Sequence, residues 1–307
     1  MSRKKCARVI AKEPVSRHVS REVISIVYRF VLLIAASAFC AHAGAQETVV
    51  AKSKNPQVSK PAKPKPPAHD PKAARTIIVP RLGEVTIYTP QGEPRGLALF
   101  ASGDGGWNLG VWDMAQTAAS LGYVVAGFST PAFLKAMETD DAAQCSDAAS
   151  FFDRIAETVR SQVHVSPAFK PLLIGYSSGA TIAYAGLAQA PAGRYSGAMT
   201  LGFCPDLIIH KPFCRGAGLT AGRQTKSPFA ALFNTVPEAG APWIVLQGEI
   251  DQVCNPPDTI AFVEKVKNGK VVSLPHVGHG YGVPKNWMPQ YRDGLIELRD
   301  TQHTAAQ

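Results

Sequence analysis

From position 76 onward the chain alternates short apolar runs with stretches of helical period. The apolar runs at 76–79, 85–89, 96–101, 123–128, 171–175, 197–202, 242–248 and 270–274 read as strands. The later ones, such as Leu172-Leu-Ile174 and Trp243-Ile-Val-Leu246, are continuously apolar, as parallel strands buried on both faces must be. Helical patterns lie between them at 111–121, 147–163, 178–188, 257–267 and 287–299, with Asp147 and Pro257 as start signals. This alternation predicts one open, mostly parallel, doubly wound sheet with helices on both faces. The first two strands have no helix between them and are expected to form an antiparallel hairpin at the sheet edge. No internal repeat is present. The stretch 205–240 departs from the pattern: it is rich in Gly, Pro, Arg and Lys and has no sustained period. At the carboxyl end of a sheet, so long a connection predicts a lid or a pocket wall.

Composition narrows the class. The chain has 307 residues, of which 46% are hydrophobic and 18% charged, which excludes both a disordered tail protein and a multi-span membrane protein. The formal net charge is +9, but it is unevenly placed. Residues 1–45 carry a net +6 and residues 46–75 a net +5, which leaves −2 on residues 76–307. The folded part is therefore near neutral, and no nucleic-acid partner is expected through it.

Residues 1–45 read as a secretory signal peptide. A basic start is followed by the apolar run Phe30-Val-Leu-Leu-Ile-Ala-Ala-Ser-Ala-Phe-Cys40, then Ala41-His-Ala-Gly-Ala45, which fits cleavage after Ala43 or after Ala45. An uncleaved anchor over 23–43 is the alternative, with Arg29 against it. Residues 46–75 include Lys60-Pro-Ala-Lys-Pro-Lys-Pro-Pro67 and are expected to be a disordered tether, since proline removes amide donors and fixes φ. Residues 76–307 form the folded domain. Removing Cys6 and Cys40 with the leader leaves Cys145, Cys204, Cys214 and Cys254, an even number that predicts two disulfides in an oxidising, periplasmic setting. Three pairings are open. The spacing matches no zinc pattern, so no metal is expected.

The chemistry-bearing signal is Leu172-Leu-Ile-Gly-Tyr-Ser-Ser-Gly-Ala180: a strand, then G-x-S-x-G, then a helix. That is the pattern of a nucleophile elbow, in which Ser177 stands exposed on a sharp turn and the Ser178 N–H supplies half of an oxyanion hole. The acid and the base should follow in that order. Asp251 lies just beyond the strand ending at Gly248, with Glu249 and Asp258 as less suitable competitors. His279, flanked by glycines after the last strand, is the base, with His276 as the fallback, while His210 precedes the acid in the 205–240 stretch. The second oxyanion donor is expected from Ser102-Gly-Asp-Gly-Gly-Trp107, through the Gly103 or Asp104 N–H. Asp104 is expected to face a cationic part of a substrate, joined by Asp140 or Asp141, or to hydrogen-bond its own loop, and Trp107 and Tyr176 are candidate pocket residues. Trp107, Trp112 and Trp287 fit core packing as well. A Ser-Asp-His triad requires no cofactor.

At these motifs the sequence resembles the bacterial AcvB/VirJ family, most closely the N-terminal unit of AcvB. The matching segments are Ser102-Gly-Asp-Gly-Gly-Trp-Asn-Leu-Gly-Val111, Gly175-Tyr-Ser-Ser-Gly-Ala-Thr181, Leu201-Gly-Phe-Cys-Pro-Asp-Leu207, Lys211-Pro-Phe-Cys214, Gln247-Gly-Glu-Ile-Asp-Gln-Val-Cys254, Val277-Gly-His-Gly280 and Asn286-Trp-Met-Pro289. They run through nearly the whole folded part. The resemblance implies an α/β-hydrolase in the periplasm that cleaves the lysyl ester of lysyl-phosphatidylglycerol at a membrane surface, with links to virulence. It also implies that Ser177, Asp251 and His279 form the triad. The other readings are a general carboxylesterase or thioesterase, and a non-catalytic hydrolase-fold accessory factor in virulence or secretion.

Overall fold

The computed structural model describes residues 70–223 and 229–304. The leader at 1–45 and most of the tether at 46–75 lie outside the described residues. An eight-stranded sheet forms the frame. Its strands are β1 (Arg75–Val79), β2 (Gly83–Tyr88), β3 (Gly96–Ala101), β4 (Tyr123–Phe128), β5 (Pro171–Tyr176), β6 (Gly197–Leu201), β10 (Trp243–Gly248) and β11 (Gly269–Leu274). Their order across the sheet is β1-β2-β4-β3-β5-β6-β10-β11. Only β2 runs against the rest, pairing antiparallel with β1 and β4. The expected edge hairpin is therefore present.

Strands β3, β4, β6 and β10 are buried at every residue, which is why their sequences carry no polar alternation. Helices cover both faces. On one face α1 (Leu109–Ser120) and α6 (Met288–Thr304) pack Trp112, Met114, Tyr291 and Leu295 against Phe100, Val125 and Ile174. On the other, α2 (Thr130–Glu138), α3 (Ala148–Val163), α4 (Ser178–Gln189) and α5 (Pro256–Val263) enclose an aromatic core of Phe128, Phe133, Phe152, Tyr184, Phe203 and Trp243. Tyr184 and Trp243 stack at 4.7 Å between centroids, and the Trp243 indole N–H donates to Thr200 Oγ1 at 2.9 Å. Burial pushes the Tyr184 phenol up to about 12.

The structure departs from the sequence reading in several places. Helix α2 was not expected; it starts where Ser129 accepts the Ala132 N–H and is helped by Pro131 in the first turn. Helix α5 stops at Val263 rather than 267, and α6 begins at Met288 after a short 3₁₀ turn at Pro284–Asn286 and runs on to Thr304. The fold also reaches back into the stretch assigned to the tether. Asp70 is buried and accepts from the Tyr88 hydroxyl at 2.9 Å and the Gln116 amide at 2.6 Å.

The largest departure is the stretch 205–240. It is no unstructured flap: β7 (Asp206–Ile208), β8 (Ala221–Arg223) and β9 (Ala230–Phe233) form a small antiparallel sheet, ordered β7-β9-β8. This sheet sits against α4, where Phe233 meets both Tyr184 and Phe213. Helix α4, buried from Gly179 to Gln189, can be apolar all round because this added sheet covers its outer side. Gln189 is the polar exception. Its carbonyl oxygen accepts the Ala148 and Ala149 N–H groups at the start of α3, and its amide donates to the Ser146 and Cys214 carbonyls. The Cys145–Cys214 disulfide fastens the same corner. That bridge closes 69 residues, so the double variant C145A/C214A should lose roughly 4 kcal/mol of unfolding free energy by the chain-entropy estimate, read by urea denaturation. An unchanged midpoint would show that the corner is held by packing alone.

Candidate active site

The strand register aligns five exits at one sheet edge. Ala101 pairs with Gly175, Tyr176 with Leu201, Leu201 with Leu246, and Gly248 with Leu274. The loops after β3, β5, β6, β10 and β11 therefore open together, as the crevice of an open α/β sheet requires. Residues more than a hundred positions apart in the sequence meet there.

Ser177 joins β5 to α4 with φ 55° and ψ −125°, a strained conformation for a residue carrying a side chain. Two glycines make the turn possible. A Cβ at Gly175 would strike the Gly179 carbonyl, and one at Gly179 would strike the Ala101 and Ser102 carbonyls. The backbone of the elbow is pinned from the next strand, where the Ser177 N–H donates to the Leu201 carbonyl at 2.9 Å.

Ser177 Oγ lies 2.8 Å from His279 Nε2, and His279 Nδ1 lies 2.9 Å from Asp251 Oδ2. An ionised carboxylate only accepts, so Nδ1 carries the proton and the Nε2 lone pair faces the serine hydroxyl. Asp251 is itself held. Its Oδ1 accepts the Val253 N–H at 2.8 Å and the Cys254 N–H at 2.9 Å, and its side chain is fully shielded from solvent. The Gln247 amide reaches Oδ2 at 3.4 Å and the Cys254 carbonyl at 3.1 Å. His279 is seated by Gly202, where φ is 61° and an added Cβ would come within 3.2 Å of the imidazole. Tyr176 donates its hydroxyl to the His279 carbonyl at 2.9 Å. Burial, reinforced by the Asp251 charge, raises the Tyr176 phenol above its ordinary value and keeps it a donor.

Facing the serine is the loop after β3. Gly103 lies so close that an added Cβ would be 3.1 Å from Ser177 Cβ. Neither the Gly103 nor the Ser178 N–H has an acceptor among the described residues, which leaves two donors beside one hydroxyl. The loop is braced from behind by Thr130, whose hydroxyl donates to the Ser102 carbonyl at 2.5 Å while its N–H donates to Ser102 Oγ at 3.2 Å. Sequence reasoning missed Thr130, Gln247 and Gly202. Gly202 lies just past a strand, two residues before Cys204, a weak cue; the other two carry no local signal.

The cleft above these groups measures about 290 Å³. Its walls include Asp104 and Asn108 on one side and Val111, Tyr176 and Val253 as apolar surface. A larger hollow of about 390 Å³ near Lys285 and Arg292 is lined by no serine, cysteine or histidine, so chemistry rather than volume marks the site. Several expected residues are elsewhere. Trp107 does not line the cleft: its ring lies over Gly127 and edge-on to Phe100 at 5.4 Å, filling core space. Trp112 and Trp287 are core residues too. Asp140 pairs with Arg81 at 2.9 Å in a separate hollow, which holds its carboxyl below the ordinary value, and Asp141 shares that turn. Glu249 and His276 are exposed, and His210 pairs with Glu138 away from the cleft. Among the described residues the 205–240 stretch contributes no cleft wall, and its β7-β9-β8 sheet packs behind α4 through Phe233 against Tyr184. The four cysteines pair as Cys145–Cys214 and Cys204–Cys254, as an oxidising compartment allows.

No family model and no curated protein sequence matches this chain. Solved structures do. The esterase domain of a Rhodothermus marinus protein is similar over 74% of this chain and 97% of its own, at 17% identity and a TM-score of 0.50. Est1E from Butyrivibrio proteoclasticus covers 74% and 98%, at 14% identity and a TM-score of 0.50. The apo form of Thermogutta terrifontis esterase 2 covers 76% and 97%, at 17% identity and a TM-score of 0.51. Likeness at such identities speaks for the backbone and not for the substrate. Strand order, the reversed second strand and the elbow after β5 agree with it: the chain has the α/β-hydrolase fold.

Proposed function

We propose that this protein is a periplasmic serine hydrolase that cleaves the lysyl ester of phosphatidylglycerol. The observation that carries the hydrolase reading is the unbroken relay from Ser177 Oγ through His279 to the shielded Asp251. In this reading His279 Nε2 takes the Ser177 proton as Oγ attacks the lysyl carbonyl. The oxyanion that forms is met by the Gly103 and Ser178 amides. His279 then gives its proton to the departing glycerol oxygen of phosphatidylglycerol, leaving a lysyl ester on Ser177. A water molecule deprotonated by His279 releases lysine. Asp251 keeps its proton-free form throughout and stabilises the imidazolium.

The substrate assignment rests on less: the resemblance to the AcvB/VirJ motifs and the exposed Asp104 carboxylate in the cleft, which suits an ammonium group. The two disulfides support the exported setting. A carboxylesterase acting on small soluble esters is the second reading, favoured by the modest cleft and by the three esterases named above.

Three measurements decide. Ser177→Ala should lower kcat/KM on purified lysyl-phosphatidylglycerol by roughly four orders of magnitude, with the melting temperature near that of the parent protein. Failure of a fluorophosphonate probe to label Ser177 in the parent would instead point to a non-catalytic accessory scaffold. Asp104→Asn should raise KM for the lysyl ester about three- to fivefold, the scale of an exposed ion pair, and leave a neutral butyryl ester unaffected. Equal effects on both esters would remove the cation from the assignment and leave the general esterase.

A further inference from the structure

The turn that carries Asp251 is tied covalently to the neighbouring strand exit, and the triad chemistry itself makes no use of that tie. We propose that the Cys204–Cys254 disulfide is a positioning element for the triad, holding the Asp251 turn so that the protein works at full rate only in its oxidised form. The inference rests on the hydrolase reading for its kinetic consequence, and on geometry alone for its structural one.

The geometry is as follows. The direction of the Asp251 carboxylate is set by two N–H groups, those of Val253 and Cys254, so the carboxylate moves with the 252–254 turn. Cys254 is bonded to Cys204, three residues past the end of β6. The segment 201–204 is where the other parts of the site are anchored. The Leu201 carbonyl receives the Ser177 N–H. Gly202 packs against the His279 ring. The Phe203 carbonyl accepts from Thr259 on α5 at 2.8 Å, and the Cys204 carbonyl accepts from Thr181 on the nucleophile helix at 2.8 Å. One S–S bond therefore couples the acid turn to the segment that seats both base and nucleophile. Without it, the acid turn keeps the Gln247 amide to Asp251 Oδ2 and the Cys254 carbonyl and the Ile250 N–H to the Val277 carbonyl, none of which reaches the 201–204 segment. Ile250 and Val253, which flank Asp251, are largely exposed and add little packing to hold the turn.

The contrast with the other bridge is informative. Cys145–Cys214 closes the longer loop, 69 against 50 residues, yet it fastens the α3 corner and touches no residue of the relay. Cys204 is half-buried, within reach of a small reductant. A dithiol such as dithiothreitol supplies two electrons and two protons, breaks the Sγ–Sγ bond to give two thiols, and itself closes to a cyclic disulfide.

The test compares C204A/C254A with C145A/C214A, both of which keep every backbone N–H. Below its melting temperature, C204A/C254A should show kcat reduced ~10–100-fold with KM within about twofold, the scale of a misplacement near 1 Å. The downfield ¹H NMR signal of the His279 Nδ1–H shared with Asp251 should weaken or vanish with it. C145A/C214A should lose stability and keep both kcat and the signal. Parental kcat together with a parental Nδ1–H signal in C204A/C254A would overturn the proposal. Should that variant not fold, C145A/C214A protein is titrated with dithiothreitol instead; full activity with the 204–254 bridge open would equally overturn it. If the parent hydrolyses no ester, the hydrolase reading has failed, and the Nδ1–H signal alone decides the positioning role.

Discussion

The contact on which the site depends is the close approach between the first turn of α4 and the end of β3. Gly179 sits against the Ala101 and Ser102 carbonyls with no room for a side chain, and Gly175 sits in the same way under Gly179. This contact forces the chain between β5 and α4 through a positive φ at Ser177 and lifts its hydroxyl clear of the sheet. It also brings the two donors of Gly103 and Ser178 to one side of that hydroxyl. A strained serine persists only where its surroundings over-determine it. Here they do, through Thr130 behind the β3 loop, the Leu201 carbonyl below the elbow, and the helix buried along its length.

The second constraint is the alignment of strand ends. A parallel sheet sends each carboxyl terminus to the same edge, and helices on both faces force the loops to meet above it. The base and the acid therefore need no local sequence relationship to the serine. What they need is a rigid approach. Asp251 receives it from two amides on its own turn, and His279 from Gly202 beneath the ring and Tyr176 at its carbonyl. The imidazole is only partly shielded while the carboxylate is fully so. That gradient suits the proposed reaction, in which the charged partner gains from exclusion of water and the proton carrier would still have to meet solvent for deacylation.

Much of this was legible in the sequence. The strand–helix alternation, the edge hairpin and the elbow at Ser177 follow from local pattern. Asp251 and His279 follow from their places just past strand ends, and the structure brings both into the relay with Ser177. The failures have physical reasons. Helix α2 is only nine residues long, and its start signal, Ser129 followed closely by Pro131, is easily read as a turn. The stretch 205–240 lacks period because its strands are only three or four residues long, too short for alternation to show. Asp140 and Trp107 were drawn toward the site by residue type, yet each is satisfied elsewhere, by Arg81 and by the space over Gly127. The cysteine pairing and the bracing by Thr130 and Gln247 are long-range facts, which one sequence does not encode in any local spacing.

Placing 205–240 behind α4 changes what the cleft can accept. A lid closing over Ser177 would favour a small substrate enclosed on all sides, whereas here the cleft is walled by the β3 loop, Tyr176 and the Val253 turn. In the proposed reaction the acyl group would lie beside Asp104, in the cleft next to Ser177. The alcohol half would then extend toward the rim, where Val253 and Ile250 present exposed aliphatic surface on the acid turn. An open rim of that kind tolerates a leaving group much larger than the cleft itself, so a lipid alcohol is compatible with a pocket of this size. In that arrangement the same turn holds the carboxylate inward and would meet the proposed substrate outward. A turn exposed on one side and loaded on the other needs an anchor from below, and the bond to the β6 exit is placed where that anchor is required.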